Sequence, residues 1–133
     1  MTLAFASNAA RAYGEVGRRS EIEGASPHRL IEMLLAAAGK NMRIAREAIL
    51  NNQQEDKGRA LNKCIDILAE LNMSLDSKGG GEIAENLSAL YGYMQSELIS
   101  VNRDGNIGTL DQVISILDDL HSTWITIKPK GVE

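Results

Sequence analysis

Apolar residues recur from residue 28 to residue 127 in alternating steps of three and four, the spacing that lines one face of an α-helix. Near the C-terminus they fall at Leu110, Val113, Leu117, Leu120, Trp124 and Ile127. An earlier stretch gives Leu61, Cys64, Leu68, Leu71 and Leu75. A third gives Ile83, Leu87, Leu90, Met94 and Val101, interrupted only by Glu97. Seams of this kind are what bundle helices turn toward one another.

The punctuation between the stripes sets the element boundaries. Ser26-Pro27 predicts a helix start, with serine at the N-cap and proline at the first helical position. The first helix then runs to about Asn51, and the polar stretch Asn51-Asn52-Gln53-Gln54 is a connector. A second helix opens near Glu55-Asp56, where acids suit the positive helix end, and continues to about Ser77. Lys78-Gly79-Gly80-Gly81 breaks it. A third covers about Glu82 to Asn102, Asp104-Gly105-Asn106 turns the chain, and a fourth covers about Ile107 to Ile127 before Pro129. Short links force neighbouring helices to run antiparallel. The expected fold is all-α: an antiparallel four-helix bundle over residues 26–128, with a C-terminal tail at 129–133. Residues 1–25 read as a flexible N-terminal arm, with room for a short extra helix at Asn8 to Tyr13 that is marginal alone.

The first helix carries more apolar surface than a bundle seam needs. At about 100° per residue its apolar positions cover roughly 200° of the wheel, against an arc of about 100° for an ordinary bundle helix. The surplus edge is Ile31, Leu35, Ala38, Met42 and Ile49. Either this helix is buried more deeply than its neighbours, or the edge forms a groove for a further helix or peptide that the arm could cover. On the groove reading, Leu35→Asp and Ile49→Asp abolish partner binding and leave helicity unchanged. Ile67, Tyr93 and Ile99 lie off the main seams of the second and third helices and could extend such a surface.

Composition narrows the function classes. A chain of 133 residues, 44% hydrophobic and 24% charged, is enough for one core. Aromatics at 4% and two prolines disfavour an all-β fold. A net charge of −4 argues against general nucleic-acid binding, which needs a concentrated basic face. The lone Cys64 excludes an intramolecular disulfide and fits a reducing, cytoplasmic compartment. No apolar run reaches the roughly 20 residues that span a bilayer, and the start lacks the features of a secretory signal. From Asp104 to Ile127 there are acids but no Lys or Arg, a solvated face or one that steers a basic partner.

Catalytic chemistry finds little support. Metal-binding bundles carry Glu-x-x-His pairs on two helices; the nearest match here is Asp118 with His121, and one pair cannot make a dinuclear site. His121 therefore reads as a polar residue at the bundle rim and His28 as a surface residue. Cys64 has no nearby histidine and reads as a small core residue. Gly79-Gly80-Gly81 is followed by no Lys-Ser/Thr pair and is not a phosphate loop. No enzyme, metal or cofactor is expected. The alternative reading is a carboxylate–histidine metal-binding enzyme on a four-helix scaffold, and a third is a bundle that forms a homodimer through the first helix edge.

Particular residues then carry a resemblance. Ala25-Ser26-Pro27 followed by Leu30-Ile31-Glu32-Met33-Leu34 resembles the first-helix opening of the flagellar secretion chaperones, the FliS family. Leu68 to Asp76 resembles that family's second-helix ending, and Gly80 to Leu87 with Leu90-Tyr91-Gly92-Tyr93-Met94 its third-helix opening. Val101-Asn102, the run from Val113 to Trp124, and Ala12-Tyr13 in the arm complete a match over roughly residues 9 to 127. Leu35 departs from the tyrosine common at that place, and His121 from an arginine. The resemblance implies a cytoplasmic export chaperone that holds the disordered C-terminal segment of flagellin, prevents premature polymerisation and hands the subunit to the flagellar type III export gate. No stable membrane insertion is implied. Wheel position and resemblance together nominate Tyr13, Val16, Ile31, Leu35, Met42, Ile49, Ile67, Tyr91 and Tyr93 as the partner-binding residues.

Overall fold

A computed structural model describes residues 26–75 and 80–126 of the chain. Four helices follow in order: α1 (Pro27–Leu50), α2 (Gln54–Met73), α3 (Gly81–Asp104) and α4 (Ile107–Thr126). At about 1.5 Å per residue they are roughly 30 to 36 Å long. The arm with Tyr13 and Val16, and the tail at 129–133, lie outside the described residues.

Local chemistry explains each boundary. The Ser26 side chain accepts a hydrogen bond from the Arg29 amide at 3.1 Å, and Pro27 follows at the first helical position. α1 ends in a Schellman motif: Gln53 N–H donates to Ala48 O at 2.8 Å and Asn52 N–H to Ile49 O at 3.2 Å. Asn52 supplies the left-handed residue, φ 56°, where glycine is usual. α2 stops at Met73, short of the expected Ser77. The Ser74 hydroxyl donates to Glu70 O at 2.9 Å and Leu75 N–H turns back to Asn72 O, tightening the last turn. The apolar phase runs on through Leu75, which half-buries against the core from outside the helix. α3 extends past the expected Asn102 to Asp104, where Gly105, φ 67°, sends its N–H to Val101 O at 2.7 Å. Asn106 then opens α4 by accepting from the Thr109 amide at 3.0 Å. Asn106→Ala is expected to destabilise the fold by about 1 kcal/mol, read as a lower urea midpoint at unchanged slope.

The helices pack in a ring, α1 on α2, α2 on α3, α3 on α4 and α4 on α1. Cross-links between α1 and α4 descend in antiparallel order, from Arg46–Asp111 through Arg43–Asp118 to His28–Trp124. Those between α2 and α3 do the same: Lys57 Nζ donates to Asn102 O at 3.0 Å and Gln95 Nε2 to Ile65 O at 3.1 Å. Leu61, Leu68, Met94, Leu98, Leu110 and Leu117 form the centre and are at most 1% exposed. Lys57 is itself buried, and its bond satisfies one of the last carbonyls of α3. Cys64 sits in the same interior, its thiol against Ala38 O at 3.5 Å, and burial pushes its pKa up to about 12.

Two expectations are corrected here. The wide apolar arc of α1 is not a spare edge: Ile31, Leu35, Ala38 and Met42 are all at most 1% exposed. A helix packed against both α2 and α4 needs apolar side chains around both flanks. His28 is also not a free surface residue. Trp124 Nε1 donates to His28 O at 2.9 Å, and His28 Nε2 donates to Trp124 O at 2.8 Å. A carbonyl oxygen only accepts, so Nε2 carries the proton. The rings stack with centroids 5.1 Å apart and planes 13° apart. This reciprocal clamp closes the first turn of α1 onto the last turn of α4.

Candidate functional site

With the core accounted for, the apolar groups left facing solvent are the candidates for contact with another molecule. They are Met33, Ile44 and Leu50 on α1, Met73 on α2, Tyr93 and Ile99 on α3, and Ile125 on α4, each 43 to 77% exposed. The sequence-predicted residues divide against this set. Tyr93 is exposed. Ile49 and Ile67 are half-buried against the core. Ile31, Leu35, Met42 and Tyr91 are fully buried, so in this conformation no outside group reaches them. Tyr13 and Val16 lie outside the described residues.

The nomination missed Met33, Ile44, Leu50, Met73, Ile99 and Ile125, although a signal for the first two was present. At about 100° per residue, Met33 and Ile44 both lie roughly opposite Met42 on the α1 wheel. An apolar residue diametrically across from the seam centre is the better sign of a contact surface, because neither flank of the seam can bury it. Tyr93 and Ile99 sit about 120° apart around α3, so a ligand touching both crosses that helix instead of following one seam.

Next to Ile44 a groove of about 720 Å³ runs between α1 and α2. Lys40, Asn41, Arg43, Ile44, Glu47 and Ala48 line it from α1, Asp56, Arg59, Ala60 and Lys63 from α2, and Gln53 from the connector. The small side chains of Ala48 and Ala60 let the two backbones approach and leave the trough between the flanking long residues. Arg59 is engaged with Asp56 at 3.0 Å, and Arg43 reaches across to Asp118 on α4 at 2.6 Å. Lys40 and Lys63, both exposed, make no ion pair among the described residues.

The acidic face of α4 is largely spoken for. Asp118 and Asp111 are held by Arg43 and Arg46, the latter at 2.7 Å. The Arg46 hydrogen bond holds the Asp111 carboxyl below its usual range, and Asp111 in turn raises Arg46. Both pairs are solvent-exposed, so their role is registration of α4 on α1 more than stability. His121 is half-buried, its Nε2 buried and without a hydrogen-bond partner among the described residues. Among the described residues no group of three or more His, Cys, Asp or Glu could hold a metal ion, and no helix is long and apolar enough to cross a membrane.

Known proteins resemble this chain over most of its length. The family model "Flagellar protein FliS" matches residues 9–131. The flagellar secretion chaperone FliS of Salmonella typhimurium is 36% identical over 128 residues, which is 96% of this chain and 95% of that protein. The flagellar secretion chaperone FliSB of Pseudomonas aeruginosa is 35% identical over 120 residues, 90% of this chain and 95% of that protein. FliS of Vibrio cholerae is 33% identical over 120 residues, 90% and 88% of the two chains.

Proposed function

Because the chain belongs to the FliS family of flagellar secretion chaperones, and is a chaperone and not an enzyme, we propose that it binds the disordered C-terminal segment of flagellin. It does so in the cytoplasm, blocks premature polymerisation and delivers the subunit to the export gate. The observation that carries this reading is the spread of exposed large apolar side chains over three helices, Met73 on α2, Tyr93 and Ile99 on α3 and Ile125 on α4. A folded partner buries one contiguous patch, whereas an extended chain that orders on binding collects separated anchors as it passes round a small protein.

On α3, Tyr93 and Ile99 are the anchors, with Met73 at the end of α2 a third. Tyr93 offers a rigid amphipathic ring suited to an interface centre. Tyr91, buried on α3, supports that surface from beneath, and Ile31, Leu35 and Met42 fill the core from α1. The arm with Tyr13 and Val16 has two readings, a competitor of the flagellin segment or a part of its site, and the first makes a direct prediction. Deleting residues 1–20 then tightens binding of a flagellin C-terminal peptide, and weaker binding by calorimetry would make the arm part of the site instead.

The direct test combines Tyr93→Asp with Ile99→Asp. Loss of two anchors is expected to weaken the peptide at least about tenfold, equivalent to about 1.4 kcal/mol, at an unchanged melting temperature. Full-length flagellin should co-purify with the chain and flagellin lacking its C-terminus should not. Retention of the truncated form would defeat the reading.

A further inference from the structure

The α1–α2 groove has a chemistry the flagellin reading does not use. It lies on the α1 side of the ring, whereas Tyr93 and Ile99 are on α3, and α1 and α3 are not neighbours in the ring. Its apolar element is Ile44, with Met33 eleven residues earlier on the same side of α1, three helical turns or about 16 Å away. A partner helix laid along α1 meets both with one straight apolar stripe.

The flanks of the groove carry the specificity. The protein has a net charge of −4, yet Lys40 and Lys63 face each other across this trough from α1 and α2. Every other described acid–base contact near it is internal: Arg43 with Asp118, and Arg59 with Asp56. Glu47 lines the same trough on the side nearer the α1–α2 connector. The trough is therefore cationic at the end away from the connector and acidic toward the connector. Two exposed ammonium groups flanking an apolar floor in an otherwise acidic protein attract a carboxylate-bearing ligand and repel a basic one.

We propose that this groove is a second docking site, separate from the flagellin surface, for an amphipathic helix of another protein whose apolar stripe is flanked by Asp or Glu. The helix lays aliphatic side chains on Ile44, Ala48 and Ala60 and places carboxylates on both sides at the level of Lys40 and Lys63. A basic helix finds the same floor but unpaired like charges on either side of it, so the site discriminates by repulsion as well as attraction.

The probe is a fluorescently labelled synthetic helix of roughly 18 residues with a leucine stripe flanked by glutamates, read by anisotropy against the full-length chain. Binding is expected, weakening at least about tenfold in the Lys40→Glu, Lys63→Glu double variant and with added salt, as charge-assisted docking requires. A probe with lysines in place of the glutamates should bind the wild type at least about tenfold more weakly and recover on the double variant. Ile44→Asp should weaken the acidic probe without moving the melting temperature. Saturating flagellin C-terminal peptide should leave probe binding in place. No binding of the acidic probe, indifference to the double charge reversal, equal binding of the lysine probe, or displacement by the flagellin peptide would each overturn the proposal. Failure of flagellin binding alone defeats the earlier reading and leaves this one standing.

Discussion

Leu35→Asp is expected to unfold the bundle outright. Leu35 is 1% exposed in the centre of α1, between neighbours on both flanks. An aspartate there loses the burial of a leucine and strands a carboxylate among apolar side chains. Removing the leucine alone costs about 2–5 kcal/mol, and the stranded polar group adds several more. Domains of this kind have about 5–15 kcal/mol in total. Circular dichroism should show little helix at room temperature, and flagellin binding should vanish with it. This reverses what the groove reading of the α1 edge expects, namely lost binding at intact helicity. A variant that melts like the wild type would restore that edge as a surface.

Trp124→Ala should be the next most damaging change and should act at one end. Trp124 is 3% exposed, stacks on His28 and makes one half of the reciprocal hydrogen-bonded clamp. Truncation is expected to cost about 3–5 kcal/mol. Trp124→Phe keeps most of the packing and drops the Nε1 donor, for about 1 kcal/mol. The local signature distinguishes a clamp from general core loss. Amide exchange should rise in the first two turns of α1 far more than in α2 and α3, because only the α1 opening is held by this contact. Uniform acceleration across all four helices would mean that the tryptophan is ordinary core.

The elements themselves were legible. Ser26-Pro27, the Asp104-Gly105-Asn106 turn and the three-four stripes place four helices within a few residues of their observed ends. Cys64 in a leucine seam is correctly a core residue. Which apolar residues stay exposed was not legible, for a definable reason. A helical wheel measures how wide an apolar arc is, not how many neighbours press on it. Deep burial of α1 and an open groove give the same width, and Ile31, Leu35 and Met42 belong to the first. What singles out Met33 and Ile44 is their position opposite the seam centre. His28 went unrecognised because its partner is 96 residues away in sequence. Helix phase carries no information about which turn of α1 meets which turn of α4. The early stop of α2 depends on a serine hydroxyl bonding back to Glu70, which the apolar period continues straight past.

Cys64 turns the protein into its own reporter. A thiol with no accessible surface and a pKa near 12 offers a modifying reagent almost no thiolate while the helices stay together. Labelling then proceeds only through moments when α1 and α2 separate, and its rate counts those moments without any introduced probe. A ligand that binds the closed form lowers the count in proportion to its occupancy. The chemistry of one sulfur atom thus provides a calibrated stopwatch for the opening of the whole molecule.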